Sequence, residues 1–149
     1  MADDTKTFDW MPHQKALLDK ALNGGYNAWA GVKLLEVRVG FARLSFKPRF
    51  EMLTPWGTLN GGVINSLVEL APFIALLTEL QLRELPVTND IFIQHLRPLP
   101  GDAEYELTGA VLRKGKTMAW AETTVSVAGK TVTLARVTKT ITLSDAVNR

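Results

Sequence analysis

The sequence predicts an α+β fold in which one antiparallel sheet wraps around a long central helix. Residues 61–80 form a nearly continuous apolar segment in the middle of the chain. Two strand-like stretches precede this segment, and a tail of β-branched stretches separated by turns follows it. A helix that is apolar on almost every side must be covered on almost every side. A curved sheet, helped by a second copy of the chain, provides that cover.

The part of the chain before the central helix predicts a short N-terminal helix, two strands and a loop. Apolar residues recur at helical spacing in the first element, and glycines follow it, as they commonly follow a helix. The second strand alternates apolar with polar side chains, and Gly40 supplies the turn before it. The predicted bounds are 12–22 for the helix, 32–39 and 41–47 for the strands, and 48–57 for the loop.

The part after the central helix predicts four antiparallel strands. Lys-Gly at 114–115 and Ala-Gly-Lys at 128–130 have the composition of hairpin turns. The predicted strands span 88–96, 104–112, 117–127 and 132–143.

The composition is that of one globular domain. The chain has 149 residues, of which 46% are hydrophobic and 21% charged, and its net charge of +2 does not suggest a nucleic-acid partner. It has no cysteine, which excludes disulfides and thiolate chemistry and fits a reducing compartment. The start MADDTKTFDW is too acidic and polar for a signal peptide, and residues 63–77 are too short to span a bilayer. We expect a cytoplasmic single domain over 1–149, with a helical extension at 1–26 and no membrane span.

The start of the central helix carries two glycines after a good capping residue. Asn60 suits the N-cap, and Gly61 and Gly62 then occupy the first helical positions. The first N–H groups of a helix have no partner within the helix, and glycine does not shield them. A carbonyl oxygen or an oxyanion can therefore approach closely, although a glycine pair also serves simply for close packing.

A polar stripe runs along this otherwise apolar helix. Gly62, Asn65 and Glu69 are spaced i, i+3 and i+7, so they share one face. A carboxylate beside an apolar pocket is a candidate general base or nucleophile, whereas a lone glutamate on a helix is more often only solvated. Pro72 lacks an N–H, which frees the carbonyl of Val68 and predicts a kink one turn beyond Glu69.

Other kinds of site are not supported by the sequence. The two histidines, His13 and His95, lie in different elements without metal-ligand spacing. There is no G-x-S-x-G elbow and no glycine-rich nucleotide loop. We therefore expect no metal and no cofactor.

Three stretches of the chain resemble a known family. They are TPWGTLNGGVINSLVELA, VTNDIFIQHLRPLPGD and VLRKGKTMAWAETTVSV, in this order. Their order and spacing are similar to those of the hot-dog-fold acyl-CoA thioesterases, particularly the phenylacetate-pathway and 4-hydroxybenzoyl-CoA groups. The resemblance implies hydrolysis of a CoA thioester by a homodimer or a dimer of dimers, with each site shared between subunits.

The resemblance also implies roles for particular residues. Gly61 matches the glycine whose N–H polarises the thioester carbonyl, and Glu69 matches the catalytic carboxylate. Thr88 matches a hydroxyl residue that helps to hold water. Asn60 stands where the family usually has histidine, and Thr54 stands where it has asparagine or glutamine.

The CoA phosphates would need cations, and Arg97, Arg113 and Lys116 are candidates, although they also suit solvated turns. Four aromatic residues would either shape an acyl tunnel or, more simply, belong to the core: Trp29, Trp56, Phe73 and Trp120. Three other functions stay open. They are a non-catalytic acyl-CoA or fatty-acyl-binding protein, a purely structural oligomerisation domain, and a hydratase, which would need a histidine near the helix that only His95 could supply.

Overall fold

The computed structural model describes residues 8–145 and has the predicted sheet-and-helix architecture. Residues 1–7 and 146–149 lie outside the described residues. Residues 1–7 include most of the stretch that argues against a signal peptide and the start of the predicted N-terminal extension. The helices are α1 (Pro12–Asn23), α2 (Gly25–Ala30), α3 (Gly61–Leu67) and α4 (Leu70–Leu77), and a 3₁₀ turn spans Phe50–Met52. The strands are β1 (Lys33–Arg38), β2 (Phe41–Phe46), β3 (Glu84–His95), β4 (Tyr105–Lys114), β5 (Met118–Val127) and β6 (Lys130–Leu143).

The six strands form one antiparallel sheet in the order β1-β2-β4-β5-β6-β3. The sheet curves around α3 and α4, whose apolar side chains fill the core, and Ile64, Leu67, Ile74 and Leu77 are fully buried. The predicted α+β architecture is therefore confirmed. None of the helices in the described part of the chain is long and apolar enough to cross a membrane.

The structure contains one helix that was not predicted, and one strand begins earlier than predicted. A second short helix, α2, follows Gly24 and ends at Gly31, which has a φ of 73°. It is tied back to α1 by the Asn27 side chain, which donates to the Ala21 carbonyl at 2.9 Å. Strand β3 begins four residues earlier than predicted and includes Pro86. Proline is tolerated there because β3 is an edge strand of the sheet.

The central helix is present but ends at Leu77 rather than at residue 80, and it is interrupted at Glu69 rather than kinked one turn beyond it. The helix breaks at Val68 and Glu69, between α3 and α4. Pro72 cannot donate to the Val68 carbonyl, and the Thr123 hydroxyl of β5 donates to it instead at 2.5 Å. Gly109 of β4 lets the broken turn approach the sheet, because a Cβ there would lie 2.2 Å from the Pro72 nitrogen. The break holds Glu69 at the junction between the two helices.

A β-bulge changes which side chains of β3 face the helices. The pairing of β3 with β6 shifts between Thr88 and Asp90, so Asn89 is an extra residue. Thr88 is paired with the buried Lys139, and after the shift His95 is paired with the buried Thr133. Because side chains alternate along a strand, Thr88 and His95 share the inner face only through this bulge.

Candidate active site

The first group of polar residues surrounds Glu69 at the helix break. The Thr88 hydroxyl donates to Glu69 Oε2 at 2.5 Å. Lys139 Nζ lies 2.7 Å from Thr88 Oγ1 and 3.4 Å from the same Glu69 oxygen. An ammonium only donates and a carboxylate only accepts, so the single hydroxyl proton of Thr88 must point to Glu69. The three side chains come from a helix junction, β3 and β6.

Lys139 was not identified from the sequence. It is only 3% exposed, whereas the Glu69 side chain is 41% exposed. Burial lowers the pKa of Lys139 from its ordinary value, and the charge of Glu69 and its hydrogen bond partly oppose this change. A signal was present, because Lys139 occupies an inward position of β6 between Val137 and Ile141, where alternation predicts an apolar residue.

Glu69 opens onto a pocket of about 170 Å³ between the central helices and α1–α2. Its other lining residues are mostly small or apolar: Ala21, Asn27, Ser66, Leu70 and Phe73. Phe73 is thus at the pocket as well as against the core. The prediction that the three tryptophans belong to the core is wrong, because they are 39–85% exposed in the chain: Trp29, Trp56 and Trp120.

The second group of polar residues lies at the start of α3. Asn60 caps the helix as predicted, because its side-chain oxygen accepts from the Gly62 N–H at 2.8 Å. The Gly61 N–H has no acceptor among residues 8–145. Gly61 is therefore the donor at this helix end that remains available to a ligand.

His95 does approach the central helix, although nothing in the sequence indicates this directly. Its Nε2 lies 3.1 Å from Asn65 Oδ1, and its Nδ1 lies 2.9 Å from Thr133 Oγ1. The same Nε2 lies 3.5 Å from the point where a Cβ on Gly61 would be. His95 therefore borders the Gly61 end of the helix. Its hydrogen-bond partners do not include Glu69, so within one chain the histidine–acid pair of a hydratase is not formed.

The two groups do not meet within one chain. Gly61 and Glu69 are eight residues apart in the central helices, which corresponds to about 12 Å of helical rise. Thr54 joins neither group, because its hydroxyl is hydrogen bonded to the Thr58 hydroxyl at 2.7 Å. A carbonyl bound at Gly61 is thus out of reach of Glu69 in the same chain.

The candidate phosphate-binding cations do not form one patch in the chain. Arg97 donates to the Thr131 carbonyl at 2.5 Å, at the start of β6. Arg113 lies over the Trp120 ring, which is paired with Thr138 of β6. These two β6 positions are separated by roughly 20 Å of strand. Lys116 is exposed in the β4–β5 turn, on the side of Arg113.

An antiparallel sheet that wraps around a central helix is the architecture of the hot-dog fold. Residues 57–134 match the model of the thioesterase superfamily. This match covers more than half of the chain, so the chain belongs to the thioesterase superfamily and is a hydrolase of thioesters. Among curated proteins, no sequence matches the chain.

Solved structures with the same fold include a mutant of the phenylacetic acid degradation protein PaaI from Thermus thermophilus. It is 25% identical, with a TM-score of 0.69, and the match covers 76% of this chain and 95% of that one. The PaaI protein of E. coli is 21% identical, with a TM-score of 0.76 over 86% and 91%. The Haemophilus influenzae thioesterase HI1161 is 18% identical, with a TM-score of 0.78 over 93% and 94%. The last two likenesses show the fold alone.

Proposed function

We propose that this protein hydrolyses an acyl-CoA thioester, with Glu69 as the catalytic carboxylate. The observation that carries the proposal is the setting of Glu69, which is held by Thr88 and Lys139 and faces a pocket lined by apolar side chains together with Asn27 and Ser66. Such a pocket suits the acyl group next to the reacting carbonyl. The Thermus thermophilus PaaI protein named above is a phenylacetic acid degradation protein, so aryl-acyl thioesters are our first choice of substrate.

The reaction requires a base and an oxyanion donor. Glu69 takes a proton from water, and the resulting hydroxide adds to the thioester carbonyl. The carbonyl oxygen becomes an oxyanion, which accepts from the unpaired Gly61 N–H. The intermediate then collapses, the carbon–sulfur bond breaks, and CoA leaves as a thiolate. Direct attack of Glu69 would instead give a mixed anhydride that water hydrolyses.

We further propose that each active site combines Glu69 of one protomer with Gly61 of the partner subunit. The roughly 12 Å of helix between these residues argues against a site within one chain. Strand β3 is an edge strand, and Thr88 and His95 mark its Glu69 end and its Gly61 end. An antiparallel pair of β3 strands about a two-fold axis near the middle of the strand would bring the Glu69 end of one protomer next to the Gly61 end of the partner subunit. A homodimer would thus unite the two groups of polar residues.

The main test is a panel of acyl-CoA and acyl-carrier-protein thioesters assayed for thiol release. We expect turnover by the wild-type protein and a loss of at least 100-fold in Glu69→Gln. Glu122→Gln is the matched control, because Glu122 pairs with Arg136 on the outer face of the sheet. Equal rates for wild type and Glu69→Gln on the best substrate would refute the assignment. Binding without thiol release would support the acyl-binding alternative.

The shared site is tested by complementation. Gly61→Pro removes the N–H at a helix position where proline is well tolerated, and Asn60 already has the extended backbone that proline requires before it. When Gly61→Pro and Glu69→Gln are each inactive and are coexpressed, every heterodimer has one intact site. Random pairing then restores about a quarter of wild-type activity. If the mixture stays inactive although heterodimers form, the site does not span the dimer.

A further inference from the structure

We propose that Lys139 is a positioning residue for the catalytic carboxylate, acting both through Thr88 and through its own charge. This inference rests on the proposed function of Glu69. It assigns to Lys139 two effects: its charge holds Glu69 Oε2 in place, and it fixes the Thr88 proton toward the same oxygen. Lys139 does not need to touch the substrate, because it lies behind the carboxylate.

The first support is the burial of the ammonium group. Lys139 is 3% exposed, and an ammonium removed from water is unstable unless it is paired. Three elements pack against it: the central helices supply Glu69 and the Phe73 ring at 5.4 Å, β3 supplies Thr88, and β5 supplies Ala119. Among residues 8–145, Glu69 is the carboxylate that lies within salt-bridge distance of it. The two charges therefore depend on each other.

The second support is the direction of the hydrogen bonds. Both the Thr88 hydroxyl and the Lys139 ammonium are directed at Oε2 of Glu69. No hydrogen bond or ion pair within residues 8–145 falls on the other oxygen, Oε1. Lys139 and Thr88 thus anchor one carboxylate oxygen and leave Oε1 to accept the proton of the attacking water.

The third support is the titration of Lys139. Burial lowers its pKa, so the ammonium is lost at a lower pH than for a solvated lysine. Once neutral, its nitrogen can accept the Thr88 proton, and the hydroxyl is no longer forced toward Glu69. We expect activity to fall on the alkaline side as pH rises through this lowered pKa.

The test compares Lys139→Met, which keeps the length of the side chain but removes its charge, with wild type. We expect kcat to fall about tenfold or more with little change in KM, because the substrate is not contacted. The alkaline fall should disappear. A Lys139→Met enzyme with the wild-type kcat and pH profile would overturn the inference.

Rescue separates a charge effect from a packing effect. The chain has no cysteine, so Lys139→Cys can be alkylated at one site with 2-bromoethylamine in denaturant and then refolded. The product restores an ammonium at nearly the same position but is less basic than lysine. We expect kcat to recover and the alkaline limb to return at lower pH than in wild type taken through the same treatment. Recovery without that shift, or no recovery in refolded protein, contradicts the inference.

A readout without turnover distinguishes this inference from the proposed function. Crystal structures of wild type and of Lys139→Met compare the Glu69 side chain directly. Loss of the contact between Glu69 Oε2 and Thr88 Oγ1 in the variant supports the role of Lys139 even if no acyl-CoA is hydrolysed. An unchanged contact refutes it even if Glu69→Gln proves that the enzyme is a thioesterase.

Discussion

The close contact between Gly109 and the broken turn of the central helix gives a quantitative prediction for Gly109→Ala. The new Cβ would lie 2.2 Å from the Pro72 nitrogen and 2.3 Å from the Ala71 carbonyl carbon. Both neighbours are backbone atoms, so helix and strand must separate by about 1 Å to reach ordinary contact. Overpacking of this kind costs about 1–3 kcal/mol, and the Thr123–Val68 hydrogen bond behind it contributes about 1 kcal/mol. We expect a loss of about 3 kcal/mol.

The assay is thermal and urea unfolding of Gly109→Ala beside wild type. For a domain of this size, the expected loss corresponds to a decrease in Tm of roughly 6–12 °C. Gly61→Ala is the control, because its Cβ finds its nearest neighbour at 3.5 Å, an ordinary contact, and its Tm should stay near that of wild type. Since the break holds Glu69, kcat of Gly109→Ala should also fall, by up to about 100-fold. A Tm within 2 °C of wild type would show that the break does not depend on this close approach, about 2 °C being less than 1 kcal/mol here.

Three further predictions follow from the site. Thr88→Val keeps the shape of the side chain but removes the hydroxyl between Lys139 and Glu69, so steady-state kcat should fall about tenfold or more. Thr88→Ser should keep most of the wild-type kcat, and equal kcat values for the two variants would contradict a role for the hydroxyl. Deletion of Asn89 removes the bulge, so Thr88 and His95 can no longer both face the helices. Activity should be lost while circular dichroism still reports a sheet, and a fully active deletion variant would refute the argument. Because the pKa of Lys139 is lower in the folded state, the unfolded chain binds more protons between that pKa and 10.5. Urea titrations should therefore show wild type gaining stability relative to Lys139→Met as pH rises through this window, and a pH-independent difference in unfolding free energy would contradict the prediction.

Much of the fold could be predicted from the sequence because its local signals agree with the tertiary structure. Alternation in residues 41–47 and the turn at Gly40 specify the β1–β2 hairpin, in which Gly40 has a φ of 68°. The capping role of Asn60 was also predictable, because it depends on its nearest neighbours in sequence. The position of Glu69 on a polar stripe was predictable for the same reason, and the resemblance pointed to Thr88, whereas the contact with Lys139 was not predicted.

What could not be predicted depends on contacts between residues distant in sequence. The site of the helix break is set by Pro72 together with Thr123 and Gly109, which lie on different strands. The approach of His95 to Asn65 depends on the bulge at Asn89, which a pattern of apolar residues does not reveal. Each of these features requires the register of the sheet, and register becomes defined only when the strands pair.

Lys139 illustrates why such a residue points to function rather than to stability. An apolar side chain of similar size at this position would fill the same space without the cost of removing an ammonium from water. The burial of the charge is therefore unfavourable for folding by itself, and its pairing with a carboxylate that is 41% exposed offsets only part of that cost. The same ammonium contacts the two side chains that the resemblance to thioesterases implicates, Glu69 and Thr88. A residue that costs stability while it contacts the candidate base is expected to position that base rather than to stabilise the fold.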